Sequence, residues 1–585
     1  MYKIEVRDQI YIVIVATILA IVMATRIDDV SNENINSWFF AKLFLSNPEF
    51  IVLPRSPLYQ LYLTPFTMLP HPTSIIVERS ISTFICFIPI ALLLCKIFTF
   101  KIGIITAIFA APDLVLVEPT AQAFAFSLSC LAFFLRLKFS HDRFKSYNLF
   151  YSLLILVWSL RSNFIILLVL FAMWDLFRVA KNKQWKLFFE FFNFKVQWPI
   201  LLCILFCGLT VINQSSHRWN NYQGIEQDWL PATGQLASVI SINAATHFQE
   251  DMPRLDGEQY DIYFVHKKIF GNSSTIFEML YSNPKAIFKH ISRNFRAYLT
   301  TTVSMTNVGQ ILFSFTTFGR KSFSDTTESM GRIDHRFITI IFSIIFGAMF
   351  VVMALQFYKN IHRREMLIFI LALLSISTVA ALLAKGDTNR FIFVIYGVYA
   401  CMAAYFAEQF MLYKKKFIGL FLALSIIILL TQGGWVRPDV RHGWGGVFRA
   451  LKDYKPTSIT EFFYSGKHAQ TIKLLNKEAK DCIGLITLEM PQLIGAFANL
   501  PENILYSPFE IPPFGTYELS SYAGLRKDRI NCIYVPKQML KKKRGAVTNI
   551  QLRYQAYIKS YIKELLKNSG ERITLPSGIL FREIR

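Results

Sequence analysis

Two adjacent carboxylates, Asp28-Asp29, follow the first long apolar run of the chain almost at once. Beside a low-dielectric boundary such a pair repels and loses hydration, which raises one pKa and leaves a group suited to act as general base. The same residues are also suited to cap a following helix, since Asp is a favoured N-cap. Glu118-Pro119 lies between two later apolar runs, Arg161 follows Leu160 at another turn, and Arg390 stands in Asn389-Arg390-Phe391 where a late run opens. Arg161 and Arg390 offer forked donors for phosphate oxygens and keep their charge close to lipid. Snorkelling to headgroups is the plainer use of either. Glu118 is suited to orient an acceptor, to help hold a divalent ion, or only to cap a turn; Asp113 close by is a weaker acid of the same kind, and Asp387 is spaced to pair with Arg390. His217, His247 and His266 have no partner at ligand spacing, which favours core or surface roles. No CxxC, HExxH, GxGxxG or P-loop pattern occurs, so metal and nucleotide chemistry have no local signature.

Six cysteines, Cys86, Cys95, Cys130, Cys203, Cys207 and Cys401, fall in apolar runs and read as small apolar residues. Cys482 and Cys532 fall in strand-like runs near the C-terminus. In an oxidising compartment they are free to form a disulfide; two buried thiols are the alternative.

The elements that would carry these residues are set by composition. Phe supplies 55 of 585 residues, 53% of the chain is hydrophobic and 17% is charged, against about 25% charged in soluble domains. Apolar runs of spanning length recur at 9–25, 76–97, 102–117, 120–137, 147–160, 162–178, 196–213, 337–358, 366–384, 390–411 and 417–434, so about 11 membrane spans are expected. The first run is followed by Thr25-Arg26-Ile27-Asp28 rather than by small residues, which reads as a retained signal-anchor.

A formal charge of +23 would suggest nucleic acid in a soluble protein. Here the cations cluster in alternate short loops: Lys96 and Lys101; Arg136, Lys138, Arg143 and Lys145; Arg178, Lys181, Lys183 and Lys186; Lys359, Arg363 and Arg364; Lys414 to Lys416. By the positive-inside rule these loops are cytoplasmic, with topology and lipid headgroups as their use and no nucleic-acid partner. An odd number of spans then puts the termini on opposite sides, and with the N-terminus inside the segments 26–75, 214–336 and 435–585 lie outside.

Residues 1–434 thus form the expected membrane domain. Within segment 26–75, Trp38-Phe39-Phe40 and Leu43-Phe44-Leu45 recur at helical spacing, and Ser56 to Leu63 forms a second such run after Pro54; both suit interfacial helices. The piece Ile311 to Phe318 is too short to cross. From residue 435 hydropathy falls and a small α/β pattern appears: helical 466–480, strand-like Cys482 to Leu488, strand-like Ile530 to Val535, helical 546–568, and a hairpin around Pro576-Ser577-Gly578. The basic run Lys541 to Arg544 reads as a solvated loop.

The acidic pair, the amphipathic stretch and Pro57-Leu58-Tyr59 together resemble the first outer loop of the GT-C glycosyltransferase superfamily, which includes protein O-mannosyltransferases and aminoarabinose transferases. Glu118-Pro119, Leu160-Arg161 and Asn389-Arg390-Phe391 extend the resemblance loosely over residues 9–411. Two features depart from it: Asp29 stands where Glu is common, and Val30-Ser31-Asn32-Glu33 replaces an aromatic, so the choice of base between Asp28 and Asp29 stays open.

The resemblance implies a polyprenyl-phosphate sugar donor, an extracytoplasmic acceptor that is a glycan, lipid or protein, and inversion at the anomeric carbon. Asp28 or Asp29 would be the base and Arg161 and Arg390 the phosphate ligands; no cofactor is required, with a divalent metal left open at Glu118. A bacterial plasma membrane is the expected location. A polymerase or ligase using diphosphate-linked glycans is the rival within the same chemistry. A lipid or solute transporter is the rival from another class, and it would want ionisable groups at mid-span depth, where the sequence offers only Glu78, Arg79 and Asp175, all near span ends.

Overall fold

The computed structural model describes chiefly residues 4–24, 57–69, 73–115, 120–139, 143–183, 276–308, 332–360, 363–383, 393–413 and 416–431. It also describes five short strands between 485 and 583 and isolated positions around 38–41, 269–273, 444–447 and 474–482. In chain order the helices are α1 (Val6–Ala24), α2 (Pro57–Thr67), α3 (Thr73–Ile97), α4 (Phe100–Val115), α5 (Thr120–Lys138), α6 (Arg143–Leu160), α7 (Ile165–Lys181), α8 (Ile276–Ser282), α9 (Pro284–Ser304), α10 (Arg332–Lys359), α11 (Arg364–Leu383), α12 (Ile395–Tyr413) and α13 (Lys416–Thr431). A helix lies on every expected span except 196–213, which falls outside the described residues.

Among the described residues, four stretches are long and apolar enough to cross a bilayer by length and composition: Ile76–Ile97, Ala121–Lys138, Thr339–Lys359 and Arg364–Leu383. Exposed apolar bands agree with that solvent: of these stretches α10 exposes Ile340, Ile344, Val351 and Leu355, and outside them α1 exposes Ile10, Ile14, Ile18 and Ile21. Bands of this kind are an aggregation hazard in water and are accepted by hydrocarbon. The protein is a mostly helical membrane protein with a small C-terminal sheet.

Close approach and broken hydrogen bonds shape the bundle. A Cβ at Gly103 would lie 2.7 Å from the Cys95 backbone, so glycine there lets α4 close on α3. Pro89 in α3 and Pro112 in α4 each remove a helical N–H, freeing the carbonyl four residues earlier. For Pro112 that carbonyl is Ile108, and Trp444, from beyond α13, donates its indole N–H to it at 3.2 Å. Beside the Pro89 break, the Cys86 carbonyl accepts the Ser127 hydroxyl at 3.0 Å and fastens α3 to α5. The four cysteines described in this bundle, Cys86, Cys95, Cys130 and Cys401, are buried free thiols.

Residues Trp38 and Ala41 of the first connecting segment are helical and buried in the main core, and α2 joins them there through Tyr59, Leu63 and Phe66. The C-terminal sheet contains β1 (Leu485–Thr487), β2 (Leu505–Tyr506), β3 (Cys532–Pro536), β4 (Gly570–Thr574) and β5 (Gly578–Glu583), in the order β2-β1-β3-β5-β4. Strands β2, β1 and β3 run parallel, and β5 is antiparallel to β3 and β4. The expected hairpin turn is closed by Leu575 N–H donating to the Gly578 carbonyl at 2.9 Å. A Cβ at Gly578 would meet the Tyr534 ring and the Val535 carbonyl at 2.5 Å, so glycine is required by packing. Strand β2 adds to the strands anticipated from sequence, while 546–568 and Lys541 to Arg544 lie outside the described residues.

Candidate functional site

Pro57 opens α2 at its first position, where a missing N–H costs nothing and φ is already helical. Tyr59, Leu63 and Phe66 then fall on one buried stripe. The Tyr59 and Tyr62 rings lie 5.9 and 4.6 Å from that of Phe124 on α5. The Tyr62 hydroxyl reaches Ser82 Oγ at 2.9 Å, and Ser82 donates to Glu78 Oε1 at 2.5 Å, both on α3. With Ser82 donating onward, Tyr62 donates to Ser82. Burial and the neighbouring Glu78 carboxylate push the Tyr62 phenol upward, which keeps it a neutral donor.

Glu78 is only 1% exposed, and its Oε2 lies 4.0 Å from Arg79 Nε, on a residue that is buried as well. An acid this deep at the edge of a spanning stretch is costly without such partners. Asp113 on α4 and Gln122 on α5 are also buried, and Asp113 lies within electrostatic reach of Tyr396 on α12. Gln122 Oε1 and Thr83 Oγ1 have no hydrogen-bond partner among the described residues. Helices α3 and α5 begin, and α4 and α6 end, at this side of the bundle, so a polar layer gathers from several helices at one end.

The opposite end is held by ions. Arg136 on α5 is 3% exposed and bonds both oxygens of Asp175 on α7, at 2.8 and 2.7 Å. Its Nε donates to Glu365 on α11 at 3.0 Å, and Arg178 also pairs with Glu365. The Tyr151 hydroxyl donates to Asp175 at 2.7 Å, and the Arg136 guanidinium lies over the rings of Tyr147, Phe150 and Phe171. A second pair joins Arg363 to Glu408 at 2.8 Å, and Glu408 also accepts the Thr99 N–H at 3.3 Å. Arg136, Arg178 and Arg363, expected to be loop cations facing headgroups, are therefore interhelical ties. The cause is the planar fork of arginine, which satisfies two carboxylates at once where a hydrated ammonium would stay outside.

Of the residues singled out from sequence, Arg161 lies where α6 ends and a single 3-10 turn, Ser162–Phe164, leads into α7. Its N–H donates to the Val157 carbonyl at 2.9 Å, and its own carbonyl accepts from Phe164 at 3.1 Å. The side chain is half-buried, with Nε shielded from solvent. Helix α2 packs on α6 as well as on α3, so the Pro57-Leu58-Tyr59 element and Arg161 belong to one end of one bundle. Asp28, Asp29, Glu118 and Arg390 lie outside the described residues. Cys482 and Cys532 form a disulfide with Cα atoms 5.8 Å apart, tying the lead-in to β1 onto β3. Closing a loop of 50 residues restricts the unfolded chain, by about 4 kcal/mol on a chain-entropy account.

The Tyr62, Ser82, Glu78 chain was not anticipated as a unit. Its sequence signal was present, an acid and a serine four residues apart on an apolar helix, but the third member comes from another element. No protein-family profile, no curated protein and no solved structure matches this chain.

Proposed function

We propose that the protein is a GT-C-like membrane glycosyltransferase that moves a sugar from a polyprenyl-phosphate donor to an acceptor outside the cytoplasm, with inversion. The observation that carries the reading is the packing of α2, which opens with Pro57-Leu58-Tyr59, against α6 and α3 at the end of the bundle where Arg161 stands. The acidic pair follows α1, which also finishes at that end. An acid, a phosphate-binding cation and a buried polar layer at one membrane face are what transfer from a lipid-anchored donor needs.

In this reading Asp28 or Asp29 removes the proton from the acceptor hydroxyl as the oxygen attacks the anomeric carbon. The bond to the phosphate oxygen breaks, and the polyprenyl phosphate leaves with its charge held by Arg161 and Arg390. Glu118 orients the acceptor. Eleven spans, an inside N-terminus and an outside sheet domain complete the arrangement, and the sheet domain holds the acceptor.

The test is a donor titration on purified protein, with polyprenyl-phosphate release and sugar transfer both measured. Asp28→Asn or Asp29→Asn is expected to lower turnover by about 10²–10⁴-fold with unchanged thermal unfolding, one position far more than the other. Asn caps a helix about as well as Asp, so a cap alone predicts near-neutral variants. Full turnover in both Asn variants would remove the pair as base and move the search to Glu118.

A further inference from the structure

Helix α9 carries two faces with different solvents. Asn283 caps its start by accepting from the Ala286 N–H at 3.0 Å, and Pro284 stands at the first position. One face, Ile287, His290, Asn294 and Tyr298, is buried in the protein. Its polar members meet the last turns of α11: Asn294 Nδ2 donates to the Leu382 carbonyl at 2.9 Å, and His290 Nε2 lies 3.2 Å from that of Leu383. Helix ends leave such carbonyls without intrahelical partners, so α9 supplies the cap. Further along, Tyr298 reaches Ser377 and Thr378 at 3.3 Å.

These bonds fix depth. Arg364–Leu383 is one of the stretches able to cross a bilayer. The first half of α9 is bound to its terminal residues and therefore lies where hydrocarbon gives way to headgroups. At that level its other face is exposed and carries Lys285, Phe288, Lys289, Phe295 and Arg296. Phe288 is 66% and Phe295 46% exposed, and in the preceding α8 Phe277 and Tyr281 are 84% and 94% exposed. No acidic residue occurs anywhere in Pro284–Ser304.

We propose that this face is a docking surface for the phosphate headgroups of the bilayer, with Phe288 and Phe295 sunk to the acyl boundary and Lys285, Lys289 and Arg296 on the phosphates above. Aromatics interleaved with cations on one helix face fit that boundary layer, which is apolar on one side and anionic on the other. A purely aqueous face would leave the phenylalanines without a partner, and a purely lipid face would strand the cations. With no acid on α9 and the single exposed acid Glu278 on α8, the cations of α9 select a negatively charged partner, each cation near an anionic surface strengthening attachment about fivefold. The inference depends on membrane insertion and not on glycosyl transfer.

Spin labels at Lys285→Cys, Phe288→Cys, Ser292→Cys and Phe295→Cys, read by power saturation in nanodiscs with oxygen and a nickel chelate, test it. These positions are exposed, whereas Cys86, Cys95, Cys130 and Cys401 are buried; an unsubstituted control measures any background labelling. Labels at 288 and 295 are expected to collide with oxygen and be protected from nickel, with 285 and 292 nearer phosphate depth. In phosphatidylglycerol discs, Lys285→Glu with Arg296→Glu should lose nickel protection at 288. In phosphatidylcholine discs the same pair should change it little. Nickel access at all four positions as high as for free label would overturn the proposal in favour of a water-exposed face. Protection from both reagents would overturn it in favour of a protein partner, including a second copy of the chain.

Discussion

Replacing Arg136 by Met tests what holds the basic end of the bundle together. Among the described residues, Arg136 and Arg178 are matched by the two carboxylates Asp175 and Glu365. Met keeps much of the volume and the packing on Phe150 and Phe171 but leaves Asp175 with the Tyr151 hydroxyl and no cation among the described residues, and Glu365 with Arg178. Arg136 is 3% exposed, against 13% for Asp175, 21% for Glu365 and 35% for Arg178. Breaking a buried pair from one side costs about 3–5 kcal/mol, chiefly because the partner charge stays buried. Arg178→Ala removes a cation that water already screens and should cost about 0–1 kcal/mol. Arg136→Lys should fall between, since an ammonium cannot match both oxygens of Asp175 while reaching Glu365. The protein provides its own reporters: Cys86, Cys95, Cys130 and Cys401 are buried thiols that a maleimide dye reaches only on unfolding. Unfolding of a chain this large is not two-state, so the ranking of midpoints is the readout. The expected order of loss is Arg136→Met, then Arg136→Lys, then Arg178→Ala. Equal midpoints for Arg136→Met and Arg178→Ala would refute the clamp and return Arg136 to the role of a topology-marking loop cation.

Three further outcomes are expected. Cysteines placed at 440–460 should react with an impermeant maleimide in intact cells if, as expected from sequence, one further span follows Lys414 to Lys416; reaction only after lysis would move the sheet domain to the inside. Non-reducing peptide mapping should recover Cys482 joined to Cys532, and alkylation of both thiols before reduction would exclude the bridge. Trp444→Phe should lower the unfolding midpoint by leaving the Ile108 carbonyl buried without its donor, worth about 1–3 kcal/mol, and Pro112→Ala should abolish that loss by restoring a helical N–H; an equal loss in both backgrounds would mean the indole contributes by packing alone.

The parts legible in the sequence are those written into a single element. Spanning stretches such as Arg364–Leu383 announce themselves because about 20 apolar residues have few other uses. The hairpin at Pro576-Ser577-Gly578 was legible from turn chemistry, and the parallel neighbour β2, only Leu505–Tyr506, was too short to leave a period. The cations were visible but their use was not. Arg136, Arg178 and Arg363 carry the same sequence mark as true loop residues, and the acids that claim them, Asp175, Glu365 and Glu408, come from other helices. Glu78 reads from sequence only as an acid near a span end; its partner Ser82 is local, but Tyr62 arrives from α2.

One long-range contact was nevertheless implied by a local fact. A proline inside α4 obliges the Ile108 carbonyl to find a donor from elsewhere, because the apolar side chains packed around it supply none. The sequence therefore specified a vacancy but not its occupant. Trp444 fills it with the one polar atom of an otherwise apolar side chain, so that the chain following α13 is pinned to α4 by a side chain that is apolar apart from that donor. The same logic applies at the end of α11, where His290 and Asn294 answer carbonyls that any helix must leave open. In both places segments outside the spans are fixed to the bundle by the backbone groups the spans cannot satisfy themselves. The segment that carries α9 and the chain beyond α13 thus have their anchor points set by a helix end and a helix break, and the same backbone groups choose polar side chains to meet them.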